Sequence, residues 1–154
     1  MYLYHIICSY LIFISFFFSG GLPFLGDTFI DTIGLLMIIS GLVIVYKTAI
    51  DLDINLTPWP VPVQRGSLIS DGTIFQYLRH PMYAGLLFGM VGLSLLTDSV
   101  IRLLLTAVLY FILDAKSDFE EAKLIETYQE DYREYQQKVK NKFFPNNIVD
   151  LLKP

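Results

Sequence analysis

Arg79-His80-Pro81-Met82-Tyr83-Ala84-Gly85 decides how this chain is read. It sets a guanidinium and an imidazole at the mouth of an apolar run, Tyr83 to Leu96, where desolvating either group is expensive. Pro81 lacks an amide hydrogen and biases His80 away from helical dihedrals, so a helix is expected to open at the proline, with the ionisable pair on the bend before it. Tyr83, one turn on, can aim its hydroxyl at the same place. Arg79 offers a five-donor fork that holds a carboxylate bidentately, and His80 can accept or donate. Snorkelling at a membrane interface would account for the stretch if it stood alone. Beyond a second apolar run, Val100 to Leu113, comes a cluster of opposite charge, Phe119-Glu120-Glu121-Ala122-Lys123-Leu124.

Neighbours on a helix diverge by about 100°, so Glu120 and Glu121 cannot share one solvent direction, and one of them is expected to face inward. A solvated charge run is the plainer alternative. An inward carboxylate could bind an ammonium or a ribose diol, or lie beside a sulfonium.

Working outward, 54 % of the 154 residues are hydrophobic and 15 % aromatic, with mean hydropathy +0.52. Soluble domains run at about 45–50 % apolar. Leu3 to Phe18, extendable to Leu22, is one candidate span, ended by Ser19-Gly20-Gly21-Leu22-Pro23. It lacks the basic start of a signal peptide and reads as a retained helix. Phe29 to Tyr46 is the next, with Asp27 or Thr28 as cap and Lys47 placed to snorkel. The later pair, separated by Thr97-Asp98-Ser99, falls short of the roughly 30 Å hydrocarbon core unless each run extends into its polar flank or the two form a shallow hairpin. Most Lys and Arg lie between Lys47 and Arg79 or beyond Lys116, which puts those segments in the cytoplasm, with Arg102 the discordant charge near an outer turn.

The expected fold is therefore an all-α integral membrane protein of one domain over 1–154, with four or five transmembrane helices, both termini cytoplasmic, and a two-helix anchor over 1–50. Its membrane would be the endoplasmic reticulum in a eukaryote and the inner membrane in a bacterium. Thr57-Pro58-Trp59-Pro60-Val61-Pro62-Val63 is expected to be extended, as an interfacial connector or the wall of a ligand cleft. Gly85, Gly89 and Gly92 permit close helix packing or close approach of a ligand. From Lys116 to Lys142, Phe119, Ala122, Ile125, Tyr128, Tyr132, Tyr135 and Val139 recur at helical steps, which predicts one amphipathic helix on the cytoplasmic side. The net charge of −4 suggests no nucleic-acid partner, no metal-ligand spacing is present, and lone Cys8 reads as packing.

Arg79-His80-Pro81-Met82-Tyr83-Ala84-Gly85, an apolar hairpin, Glu120-Glu121 with Leu124, Tyr132 with Tyr135, and a closing Phe144-Pro145 together resemble the isoprenylcysteine carboxyl methyltransferase family. The wider group takes in phospholipid N-methyltransferases and bacterial thiol methyltransferases. The resemblance covers about Leu56 to Pro145, so 56–145 would be the catalytic core. It implies a C-terminal half enclosing S-adenosylmethionine, with a lipid-accessible route for an amphiphilic acceptor, foremost the carboxylate of an isoprenylcysteine-like substrate. By position it makes Arg79 and Glu121 the catalytic pair and His80, Tyr83, Gly85, Glu120 and Glu121 the cofactor contacts. Two departures stand out: Gly72-Thr73-Ile74-Phe75-Gln76-Tyr77-Leu78 lacks the proline of the usual lead-in, and Gln129 to Asp131 replaces a usual Phe-Gly.

One reaction-bearing alternative is an NADPH-dependent sterol or steroid reductase, which shares an arginine, tyrosine and proline pattern. The other is a non-enzymatic membrane scaffold. A shared pocket requires the Glu pair to fold back to Arg79, and the distance between them decides it.

Overall fold

In this computed structural model, residues 6–11, 14, 28–52 and 73–144 are described. Most of the span from Leu3, the proline-rich connector around Trp59 and the tail from Pro145 lie outside them. All regular structure among the described residues is helical: besides residues 6–11 there are α1 (Thr28–Leu52), a 3-10 turn (Ile74–Gln76), α2 (Pro81–Leu96), α3 (Val100–Tyr128) and α4 (Glu130–Lys138).

With 25 residues, α1 is long and apolar enough to cross a bilayer. It leaves Phe29, Leu36, Leu42 and Tyr46 between 58 and 70 % exposed, a surface that suits lipid and not water. Among the described residues it alone meets that measure of length and composition; α2 stops at 16 residues, and α3, at 29, turns polar in its second half. One span thus stands on its own, against four or five expected.

The chain divides into two compact units, one from Met1–Val43 and Gly85–Lys116, the other from Ile44–Ala84 and Ser117–Pro154. In the first, α1 and α2 approach backbone to backbone. A Cβ built on Gly34 would lie 2.8 Å from the Gly92 carbonyl oxygen, and one on Gly41 2.5 Å from that of Gly85. Gly34 and Gly41 are seven apart, as are Gly85 and Gly92, so two turns of each helix present the same gap and the helices run antiparallel. Ser99 opens α3 by accepting from the Arg102 amide, after a turn in which Asp98 adopts φ 47°. Arg102, read from sequence as the discordant charge near an outer turn, is buried at 4 % exposure.

The second unit begins with the end of α1, where Asp51 accepts from Lys47 Nζ at 2.7 Å and from the Ile74 amide at 3.2 Å. Thr73 Oγ1 accepts from the Phe75 amide, so the lead-in without proline closes as a capped 3-10 turn instead. The amphipathic helix expected over Lys116 to Lys142 is two helices. The second half of α3 continues its apolar first half without a break, and the chain turns at Gln129 (φ 49°, ψ −115°) before α4. That turn re-phases the stripe: Tyr132, Tyr135 and Val139 form a core with Phe75, Leu124, Ile125 and Tyr128, while Phe119 and Ala122 face outward.

Candidate functional site

The site lies wholly within the second unit. His80 carries the cap of α2: its carbonyl accepts from the Ala84 amide, and Pro81 fills the first helical position, where a missing N–H costs nothing. Arg79 and His80 are held from the other side by backbone, with the Arg79 amide donating to the Asn141 carbonyl and the His80 amide to that of Lys142, both at 3.0 Å. The segment after α4 is therefore a strap laid along the motif, tied further by Asn141 Nδ2 to the Tyr77 carbonyl and Lys142 Nζ to Asp118.

Within that frame the two sequence clusters meet. Arg79 Nε donates to Glu121 Oε1 at 2.8 Å, and Nη1 donates to the Val139 and Lys140 carbonyls at 2.9 and 3.0 Å. Nη2 has no hydrogen-bond partner among the described residues. His80 Nε2 lies 3.0 Å from the same Glu121 oxygen, and Gln136 Nε2 donates to Oε2 at 2.6 Å. Burial alone would raise the Glu121 carboxyl, but the hydrogen bonds from His80 and Arg79, and then their charges, hold it down at about 2. An ionised carboxylate only accepts, so His80 must donate through Nε2.

Both glutamates, not one, turn to the imidazole. Glu120 Oε2 stands 3.7 Å from His80 Nδ1, and Glu120 Oε1 accepts from the Tyr83 hydroxyl at 2.6 Å. The 100° between neighbours is what lets them flank the ring, one at each nitrogen. Their surroundings differ: Glu121 accepts from three side-chain donors, whereas Glu120 lies beside Tyr83 and His80 with its side chain 16 % exposed. Tyr83 stacks on His80 (5.6 Å, 4°), and Phe143 sets its ring edge-on to both at 6.0 and 6.2 Å. Below them burial, with Glu121 next in effect, pushes the Tyr132 hydroxyl up; burial does the same to Tyr135, whose hydroxyl donates to the Phe75 carbonyl at 2.7 Å.

Arg79, His80, Tyr83, Glu120 and Glu121 are thus brought together, while Gly85 has its carbonyl against Gly41 in the other unit and serves helix packing. Sequence reasoning missed Gln136, Phe143 and the carbonyls of Val139 and Lys140. Gln136 adjoins Tyr135 on the helix already singled out, and Phe143 directly precedes the Phe144-Pro145 pair that closes the resemblance. The main-chain acceptors leave no trace in residue identity.

These residues fit a ligand with both an ammonium or sulfonium and a carboxylate: Glu120 sets a carboxylate beside Tyr83 and His80, and Arg79 Nη2 is a donor with no partner among the described residues. Among the described residues no group of His, Cys, Asp and Glu could hold a metal ion. The family model described as phospholipid methyltransferase matches residues 24–131, well over half of the chain, and includes both motifs. No curated protein matches the chain significantly. That family's members are methyltransferases and membrane proteins, as α1 suits. With the Arg-His-Pro stretch and the glutamate pair closed into one cluster inside the matched residues, the chain belongs to the phospholipid methyltransferase family, in the group shared with the isoprenylcysteine carboxyl methyltransferases.

Proposed function

We propose that the chain is an S-adenosylmethionine-dependent methyltransferase acting on the polar head of an amphiphile, and that the head is an amine. The observation that carries this reading is the charge balance of the cluster. Arg79 is matched by Glu121, and Glu120, which accepts from the Tyr83 hydroxyl, adds a second carboxylate beside the aromatic rings of Tyr83 and Phe143. A carboxylate against aromatic edges and faces favours a cation.

Tyr83, Glu120 and the Nη2 edge of Arg79 would hold the cofactor, with any contact from Gly85 made by its backbone; when bound it supplies an electrophilic methyl group. Glu120 is placed to take the proton an ammonium sheds before its nitrogen can attack. Glu121 keeps Arg79 and His80 in one orientation, which is the alignment that in-line transfer needs. Phe143 and the strap shield one side from water. Methyl transfer would take place at the cytoplasmic face of a multi-pass protein, with α2 and α3 completing the spans and lipid delivering the acceptor, in the endoplasmic reticulum or the bacterial inner membrane. The positive charges at and after the C-terminal end of α1 and following α3, with none before α1, support that orientation.

The second reading keeps the isoprenylcysteine-like carboxylate as acceptor, and what favours it is the unused Nη2 of Arg79. Radiolabelled methyl transfer by the purified protein to ethanolamine-headed phospholipids, prenylcysteines, fatty acids and thiols separates the two. Labelling of the amine lipids is expected, and labelling confined to prenylcysteine replaces this reading with the second. Thermal stabilisation by NADPH, with none by S-adenosylhomocysteine and no labelling of any acceptor, would return the chain to a reductase.

A further inference from the structure

We infer that Gln136 is the positioning residue of this cluster: by holding Oε2 of Glu121, it confines that carboxylate to the orientation in which Oε1 serves Arg79 and His80 together. The inference rests on the methyltransferase reading for its kinetic consequences, but not for its geometry.

A glutamate side chain rotates about its last bond, and a carboxylate beside an arginine tends toward a two-toothed pairing with the planar fork. Here the pairing is one-toothed. Oε1 accepts from Arg79 Nε and from His80 Nε2, and the second oxygen is turned away to Gln136 Nε2 at 2.6 Å. Releasing Oε2 would let the carboxylate swing to engage Arg79 with both oxygens, use up donor capacity of the guanidinium and let go of the imidazole. Nη2 is left without a partner among the described residues because of that restraint.

Gln136 can act as a stop because its own helix is fixed. Tyr132 and Tyr135, on the same short helix, are 2 and 5 % exposed, and Tyr135 is tied to the Phe75 carbonyl just ahead of the motif. An amide is also the group the place requires. A lysine there would add a cation and a glutamate would set a second carboxylate against the first, whereas glutamine donates without altering the charge balance. The groups facing Glu121 are Arg79 and His80 from the motif, Gln136 from α4, and Tyr132, whose charge state is fixed by burial; Glu120 faces it across the imidazole. The family match ends at residue 131, so Gln136 lies beyond it.

The variants are Gln136→Leu, which removes the donor at similar size, and Gln136→Glu, whose carboxyl can donate only when protonated. Methyl transfer is read across pH, and His80 is read directly by NMR of 15N-imidazole label, the chain having only two histidines. Gln136→Leu is expected to lower kcat about tenfold to a hundredfold, the equivalent of one lost hydrogen bond to a charged group, and to shift the His80 resonances while those of His5 stay put. Gln136→Glu is expected to be more active in acid than at neutrality, the reverse of a carboxylate that merely needs to be ionised. That comparison sets one folded protein against itself. Unshifted His80 resonances in both variants, or a Gln136→Glu profile parallel to the wild type, would overturn the inference. Absence of methyl transfer in the wild type itself would instead sink the methyltransferase reading, with the NMR comparison still deciding Gln136.

Discussion

Glu121→Gln keeps the size of the side chain and removes its charge, which makes it the sharpest probe of the cluster. The amide oxygen can still accept from Arg79 Nε and His80 Nε2, and its NH2 can donate to Gln136 once that amide turns over, so the hydrogen bonds survive and the loss is electrostatic. A carboxyl held at about 2 against an ordinary 4.5 carries about 3 kcal/mol of folding stability. Because the folded value is depressed, that stability is complete above the unfolded value and drains away as pH falls from about 4.5 toward about 2. Denaturant titrations in neutral detergent should therefore find Glu121→Gln about 3 kcal/mol less stable than wild type near neutrality, with the gap closing as the acid approaches about pH 2. A gap of the same size at about pH 7 and about pH 2.5 would refute the electrostatic account and leave only packing.

Glu120→Gln should weaken S-adenosylhomocysteine binding by about 1.5–3 kcal/mol in calorimetric titrations, since Glu120 is the carboxylate proposed to hold the cofactor, while changing stability less than Glu121→Gln. Arg79→Lys keeps the cation but cannot serve Glu121, Val139 and Lys140 from one plane; a folded protein with methyl transfer down about a hundredfold is expected in the radiolabel assay, and wild-type turnover would remove Arg79 from the site. Gly41→Ala places a Cβ 2.5 Å from a backbone oxygen, which no rotamer can relieve, so thermal unfolding should report a loss of about 1–3 kcal/mol. Gln129→Gly relaxes a backbone geometry that glycine adopts freely and should raise stability by about 1 kcal/mol in the same measurement.

The residues of the cluster were legible in the sequence because their cost is local: an arginine and a histidine beside an apolar run need partners, and Glu120-Glu121 is an adjacent pair of carboxylates just beyond the next apolar run. The helix opening at Pro81 follows from ring geometry alone, and the hairpin at Thr97 to Ser99 from polar residues between apolar ones. The division of labour between Glu120 and Glu121 was not legible, since it depends on which face of α3 meets His80, a matter of tertiary packing. Nor was the break at Gln129. Periodicity runs through it almost unchanged, and the only hint was the missing glycine at a place where the resembling family has one. The close pairing of Gly41 with Gly85 was half visible, as small residues able to pack or to admit a ligand, and the structure supports packing.

The strap that crosses Arg79 also dictates an order of events in folding. Every bond that satisfies this guanidinium reaches far along the chain, to a side chain 42 positions on and to carbonyls 60 and 61 positions on. Helices form from near neighbours, and contacts between distant ones must wait for the chain between to be ordered. A growing polypeptide thus carries Arg79 at the mouth of α2 with no partner until Glu121 has been made and with an incomplete set until residues 139 and 140 follow, so the cluster assembles last and any chain stopped short of them has helices but no finished site.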